Sequence, residues 1–268
     1  MQKFTKMNGA GNDFIMLNNP ELKLSLNTDQ ISQLCDRHRG IGADGLIIVE
    51  PAAEGKNLRM RYYNSDGNEA EMCGNGARCF ARYVDRIFAL EGKPLEFQTM
   101  AGPAAAHFHG EEVQLHLSDP FDLVMDTEIN VNGQRMTVHS INTGVPHAVI
   151  ITDHIDDSGV IELGAAVRYH DHFKPAGTNV NFLTANSLNE ISIRTYERGV
   201  ENETLACGTG MVACAIIHDQ ITESGAPINV LVKGGDTLKV EWELEGMRHE
   251  NVTLTGPAEF VFDGEINV

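Results

Sequence analysis

The sequence predicts an α+β protein of two similar halves, each with many short strands around one principal apolar helix. Three observations carry this prediction. Met72-Cys73-Gly74-Asn75-Gly76 and Ala206-Cys207-Gly208-Thr209-Gly210 each set a cysteine before Gly-x-Gly, and the two cysteines are 134 residues apart. Each segment opens an apolar, helix-compatible run that carries a further cysteine, Cys79 or Cys214. Each is preceded, at a similar distance, by a strand-like stretch bearing an amide or an acid: Arg61-Tyr62-Tyr63-Asn64 and Arg194-Thr195-Tyr196-Glu197. This reads as an internal duplication too diverged to be a repeat array.

The elements follow in order. Lys3–Met7 alternates like a strand, and Phe14–Leu17 reads as a second. Gly9-Ala10-Gly11-Asn12-Asp13 between them is a loop of residues that tolerate unusual backbone angles. Thr28–Arg37 reads as a helix capped by Asn27 or Thr28. Gly45–Glu50 and Leu58–Asn64 read as strands. Ala77, Phe80, Ala81, Val84, Ile87, Phe88 and Leu90 space the apolar side of a largely buried helix over Asn75–Glu91. Leu95–Thr99 and Glu112–Leu117 are strands, and Ser118-Asp119-Pro120 is a turn and candidate boundary. In the second half, strands are expected over Met136–Asn142, Ala148–Thr152, Val180–Ala185 and Glu190–Tyr196. A helix then runs from the second Cys-Gly-x-Gly to about Ile221. Strands over Ile228–Lys233, Leu238–Leu244, Asn251–Gly256 and Ala258–Phe262 finish the chain.

At 268 residues, one or two domains are expected, and 42% apolar residues suffice for a core. Twenty Lys and Arg against 38 Asp and Glu leave a net charge of −18. This argues against nucleic-acid and membrane-surface binding, which need clustered basic residues. It leaves anionic small molecules open, because a pocket differs from the surface average. The first residues, MQKFTKMNGAGNDF, lack the apolar core of a signal peptide. No stretch approaches the roughly 18 apolar residues needed to span a bilayer. A soluble, cytoplasmic protein is expected. Its five cysteines, an odd number, read as reduced thiols rather than a disulfide framework. Without a Cys-x-x-Cys, no metal site is expected. His170-Asp171-His172, the one local candidate, reads as a solvated loop.

The chemistry lies at the two cysteines. A free thiol has a pKa of about 8.5, and a helix N-terminus lowers it to roughly 3.5–7.5. There, unpaired N–H groups and the macrodipole favour the anion. The glycines let backbone N–H groups approach a carboxylate closely. Two thiols on opposite sides of one carbon allow one to take a proton and the other to return one. That is racemase or epimerase chemistry without a cofactor. The carbanion formed has no electron sink, so the carboxylate must sit among dense donors as charge develops. The backbone after each cysteine, the Asn75 and Asn64 amides and the Thr209 hydroxyl are the nearby candidates. Cys35, Cys79 and Cys214 read as inert core residues.

Joined to KMNGAGNDF, HRGIGADGLIIVE, YYNSDGNEAEMCGNGARC, GTNVNF and YERGVENETLACGTG, these segments resemble the diaminopimelate epimerase family over nearly the whole length. The resemblance implies a pyridoxal-independent isomerase of lysine and cell-wall biosynthesis, a homodimer acting on a small molecule. It implies two pseudo-symmetric domains, each a mainly antiparallel sheet or barrel wrapped around a central helix, closing on substrate in the cleft between them. The first domain would be residues 1–118 with the last strand, 257–268, packing back. The second would be 119–256. Carried over by motif, Cys73 and Cys207 are the acid–base pair. Asn12, Asn64, Asn179, Glu197 and Arg198 bind substrate, and Gly74-Asn75 and Gly208-Thr209 form two anion cradles. Glu197 and Arg198 would hold the distal ammonium and carboxylate, and His147 matches a position near the site.

Three departures stand out. Gly45 replaces a glutamine that touches substrate in many members. Val145 replaces a binding asparagine. Val200–Thr204 is one residue longer than usual. The rival readings are a proline racemase or hydroxyproline epimerase, a phenazine-type isomerase, or a thiol redox switch. The first would want a compact ring pocket, against which Glu197-Arg198 supplies a second charged end. A phenazine-type isomerase would lack the cysteine pair.

Overall fold

The computed structural model describes residues 1–52, 58–70, 72–156 and 159–267. Its contacts divide the chain into two units, Met1–Leu115 with Thr255–Val268, and His116–Leu254. The first unit opens with β1 (Gln2–Gly9), β2 (Asn12–Asn18), α1 (Thr28–Cys35), β3 (Gly45–Pro51), β4 (Leu58–Asn64) and β5 (Glu69–Ala70). It continues with α2 (Gly74–Phe88), β6 (Leu95–Thr99), β7 (Gly102–His109) and β8 (Glu112–His116). The second holds β9 (Phe121–Val131), β10 (Gln134–Asn142), β11 (Pro146–Ile151), α3 (Val160–Arg168), β12 (Asn179–Ser187), β13 (Glu190–Glu197) and β14 (Asn202–Thr204). After these come α4 (Gly208–Thr222), β15 (Ile228–Leu231), β16 (Thr237–Glu245) and β17 (Arg248–Pro257). β18 (Glu259–Ile266) belongs to the first unit, where it pairs with β1.

The duplication visible at the cysteines extends through the strands. The first unit orders β18-β1-β2-β3-β4-β6-β7, and the second orders β9-β10-β11-β12-β13-β15-β16. In each order the third and fourth strands are parallel, as are the fifth and sixth, and the remaining neighbours are antiparallel. The short β5 and β14 add beside β4 and β13. The registers also agree. Phe14 lies opposite Gly45, and Ile47 opposite Tyr62. His147 lies opposite Asn179, and Asn181 opposite Thr195. Even the tie between a strand and its short partner recurs. Arg61 grips Glu69 through Nε and Nη2 at 3.0 and 2.9 Å, and Arg194 grips Glu203 through the same two nitrogens.

Two helices sandwich the central strands of each unit. In the first, alternate residues Ile15, Leu17, Leu46 and Ile48 pack with Ile31 and Leu34 of α1. The intervening Phe14 and Ile47 face the start of α2. With both faces covered, β2 and β3 read as unbroken apolar runs, FIML and LIIV, rather than alternating ones. In the second unit Ala148, Ile150, Val180 and Phe182 pack with Val160 and Val167 of α3. α4 is buried from Gly210 to Asp219, as a helix apolar on every side must be. No helix among the described residues is long and apolar enough to cross a membrane.

Several elements differ from expectation. The Gly9–Asp13 loop shrinks to a two-residue hairpin turn, with Ala10 and Gly11 at φ of 59° and 90° and Gly9 paired with Asn12. Both φ values are positive, as a tight hairpin of this twist requires. α1 stops at Cys35 but has the expected cap: Asn27 accepts from Gln30 N, and the Gln30 side chain answers to Asn27 N. α2 stops at Phe88, where Ala89 turns left-handed and Asp85 Oδ1 receives Gly92 N. β7, β9 and α3 were not foreseen. β7 carries Gly-Pro-Ala-Ala-Ala, poor strand formers, and β9 is studded with exposed charges. α3 contains Gly164, whose missing side chain admits Tyr196: an added Cβ would lie 2.5 Å from Tyr196 Cβ.

The second glycine of each Cys-Gly-x-Gly seats its helix. A Cβ on Gly76 would lie 2.9 Å from Ile47 Cδ1, and one on Gly210 would lie 2.5 Å from Asn181 Oδ1. Ile47 ends in a flexible methyl, whereas Asn181 is pinned by hydrogen bonds. Gly210→Ala is therefore expected to lower stability by ~1–3 kcal/mol, and by more than Gly76→Ala, in chemical denaturation. Equal costs would contradict this packing. His147 is also buried here, and burial pushes its pKa down to about 3, with Arg198 adding to the effect and the Asn181 bond opposing it. The unfolded chain takes up that proton below about pH 6.5, whereas the folded one resists it to about pH 3. The stability of the wild type relative to His147→Gln should thus fall from pH 6.5 to 5, by at most ~1.4 kcal/mol per pH unit. A difference that does not change with pH would refute the buried neutral ring.

Candidate active site

In the first unit Asn12 and Asn75 meet at the start of α2. Cys73 is its N-cap, with extended backbone at φ −132° and ψ 119°, and its carbonyl accepts from Ala77 N at 2.8 Å. The N–H groups of the first turn lie beyond the i→i−4 ladder and point at whatever sits before the helix. A Cβ on Gly74 would meet none of the described residues within 4 Å. The Asn75 side chain is 2% exposed. Its Nδ2 donates to Asn12 Oδ1 at 2.7 Å, and its Oδ1 accepts from Arg78 Nη2 at 2.9 Å. The amide is thus drawn into the framework, and the cradle is left mainly to backbone.

Asn12 is held in turn. Its Nδ2 donates to Asp44 Oδ2 at 3.0 Å. Asp44 and Asp13 share Arg37, and Lys6 bridges Asp13 at 2.8 Å and the Gly42 carbonyl. Burial works against the Asp13 charge, but hydrogen bonds from Arg37 and Lys6 hold its carboxyl well below the usual range. Sequence reasoning missed this clamp, although Asp13 and Asp44 stand beside singled-out residues. Asn64 ends β4, exposed, opposite Gly45. Tyr62 fills the space next to Gly45: a Cβ there would lie 2.7 Å from Tyr62 Cε2 and 2.6 Å from the Tyr63 carbonyl. The Tyr62 hydroxyl donates to Asn64 Oδ1 at 2.8 Å. The departure at Gly45 therefore makes room for a ring that orients Asn64.

The second unit repeats the frame with other groups. Cys207 is the N-cap of α4, at φ −127° and ψ 110°, and its carbonyl accepts from Met211 N at 3.0 Å. Gly208 begins the helix. Thr209 Oγ1 lies 3.6 Å from Cys207 Sγ and 3.0 Å from His147 Nε2. Its carbonyl accepts from Thr143 Oγ1 at 3.0 Å. Asn179, buried at the start of β12, accepts from Arg198 N at 2.8 Å. The Arg198 side chain donates to the Ala176 carbonyl at 3.3 Å. Glu197 Oε2 accepts from Thr204 Oγ1 at 2.9 Å, and burial raises its pKa while that bond lowers it. Val200–Thr204 forms a turn and β14: Glu201 N donates to the Glu197 carbonyl, and Glu201 Oε2 accepts from the Tyr196 hydroxyl. Val145 lies in the β10–β11 turn, its carbonyl accepting from Thr143 N.

The remaining thiols sit in the core. Burial pushes Cys35 and Cys79 up to about 12, and Cys214 also well above the ordinary value. His170 caps a single helical turn, Asp171–Phe173, its Nδ1 accepting from His172 N. Asn181 was not singled out by sequence reasoning. The available signal was its place two residues after Asn179, on the same face of one strand.

Comparisons with known proteins identify the family. The family model described as diaminopimelate epimerase matches residues 4–120 and 139–261. The diaminopimelate epimerase of Aquifex aeolicus is 38% identical over 99% of this chain and 98% of its own length. That of Chlorobaculum tepidum is 40% identical over 98% of this chain and 100% of its own. Among solved structures, a hydroxyproline epimerase from Agrobacterium vitis shares the fold, with a TM-score of 0.72 and 14% identity over 98% of this chain and 91% of that one. The chain belongs to the diaminopimelate epimerase family.

Proposed function

We propose that this protein converts LL-2,6-diaminopimelate to meso-diaminopimelate without a cofactor, in lysine and peptidoglycan precursor biosynthesis. The observation that carries the reading is the matched pair of N-cap cysteines, each at the head of a 15-residue helix in one of two units of the same topology. One sulfur, as thiolate, takes the α-proton, leaving its electron pair on carbon. The other, as thiol, delivers its proton to the opposite face. The two sulfurs thereby exchange protonation states. General acid–base transfer supplies about 10²–10⁴ in rate. The rest must come from donors fixed around the α-carboxylate before charge develops. Gly74-Asn75 and Gly208-Thr209 supply them from two helix starts.

Asn12, Asn64, Asn179, Glu197 and Arg198 take the other polar ends of the substrate. Burial opposes the Glu197 charge, and a distal ammonium would offset that cost. A second charged end also separates this reading from proline-type racemases, whose fold is shared. The same reading makes the protein a cytoplasmic homodimer, on the strength of the family resemblance.

The test is turnover. The wild type should epimerise LL-diaminopimelate and leave proline untouched. Cys73→Ala and Cys207→Ala should each lose at least ~10²–10⁴ in kcat while retaining the wild-type circular dichroism. Turnover of proline but not diaminopimelate, or normal rates in either variant, would sink the reading.

A further inference from the structure

The duplicated frame gives each residue under one catalytic helix a counterpart under the other. In the first unit the side chains beneath the second helical glycine are Ile47, Met60 and Phe14, all apolar. By strand register the counterparts of Ile47 and Phe14 in the second unit are Asn181 and His147. Polar groups buried at such positions cost stability unless each finds a partner. Here they form a chain leading to one sulfur. We propose that Asn181 is a positioning residue for Cys207. Its carboxamide holds His147 as the Nε2–H tautomer, and this turns the Thr209 hydroxyl proton onto the Cys207 sulfur. The proposal rests on reading Cys207 as an acid–base residue.

The direction of each bond follows from its neighbours. Asn181 is fully buried, and its Oδ1 accepts from Thr195 Oγ1 at 2.9 Å. Its Nδ2 donates to the Ala148 carbonyl at 3.1 Å, which can only accept. The amide therefore cannot flip without setting oxygen against oxygen. The same Nδ2 reaches His147 Nδ1 at 3.0 Å, so Nδ1 must accept. In a neutral ring the proton then lies on Nε2 and is donated to Thr209 Oγ1, 3.0 Å away. With its oxygen accepting from histidine, the threonine hydroxyl donates toward Cys207 Sγ at 3.6 Å. A donor fixed on sulfur favours the thiolate. In the first unit Asn75, the counterpart of Thr209, donates to Asn12. The two thiols thus occupy matched positions, but the residue two after each differs in kind, Asn75 in one unit and Thr209 in the other. Among the described residues, Arg198 faces the cluster and disfavours a protonated ring, and burial keeps the neighbouring Cys214 thiol protonated.

Three measurements test this on the whole protein. Nitrogen-15 NMR of His147 should report the Nε2–H tautomer, and an Nδ1–H tautomer would overturn the proposal. Alkylation by iodoacetamide, followed by peptide mass spectrometry across pH, reads Cys207 with Cys73 as internal reference. Asn181→Asp presents only acceptors, so the ring must carry its proton on Nδ1 and draw the Thr209 hydroxyl toward Nε2. The midpoint of the Cys207 profile should rise by about half to one pH unit, and that of Cys73 should not move. Asn181→Ile, which copies Ile47 of the first unit, should shift Cys207 in the same direction and guards against a misfolded Asp variant. In a Thr209→Val background neither change should add a further shift, because the relay is already cut. An unmoved Cys207 profile, or additive shifts in that background, would overturn the relay. None of these readouts needs turnover. Shifts as expected in a protein inactive on diaminopimelate would uphold the relay and defeat only the functional reading.

Discussion

Each Cys-Gly-x-Gly helix begins where its first turn can settle onto the middle strands of its unit. That contact leaves no room for a side chain at Gly76 or Gly210. Once the turn is seated, the residue before it must be the N-cap, and in both units it is a cysteine. Backbone packing thus places each sulfur at the head of its helix. The same contact leaves the first-turn N–H groups facing outward beside the sulfur, where they favour an anion. Thiol position, anion cradle and glycine spacing are therefore one constraint seen three ways.

Duplication repeats that constraint, and divergence surrounds it with different residues in the two copies. Arg61 with Glu69 and Arg194 with Glu203 keep the framework of the two units alike. The counterparts by strand register do not match. Phe14 and Ile47 stand against His147 and Asn181, Gly45 against Asn179, and Asn64 against Glu197. The first unit trades a side chain at 45 for the Tyr62 ring and its hold on Asn64. The second builds a polar chain inside a core layer. A substrate with two charged ends needs such inequality, because a symmetric site would treat both ends alike.

Much of this was legible in the residues. The strands β1 to β4 and β10 to β13, and both long helices, show in apolar periodicity, and the helix starts show in Cys-Gly-x-Gly. What stayed hidden depends on tertiary contact. α3 forms because Gly164 lets it lie on Tyr196, and nothing local in VIELGAAVR announces that. β7 is a strand of poor formers held by its neighbours β6 and β8. The Asp13, Asp44, Arg37 and Lys6 clamp joins residues from distant segments, as does the line from Asn181 through His147 to Thr209. Pairing registers, which no single segment carries, decide both.

The central claim is that two different sulfurs serve the two faces of one carbon. Its most direct test is the isotope content of both compounds during the first turnovers of LL-diaminopimelate in heavy water. Two bases predict deuterium at the epimerised α-carbon of the product, while recovered substrate stays unlabelled. Label appearing equally in recovered substrate, or a product that keeps the original hydrogen, would point to a single base and contradict the account.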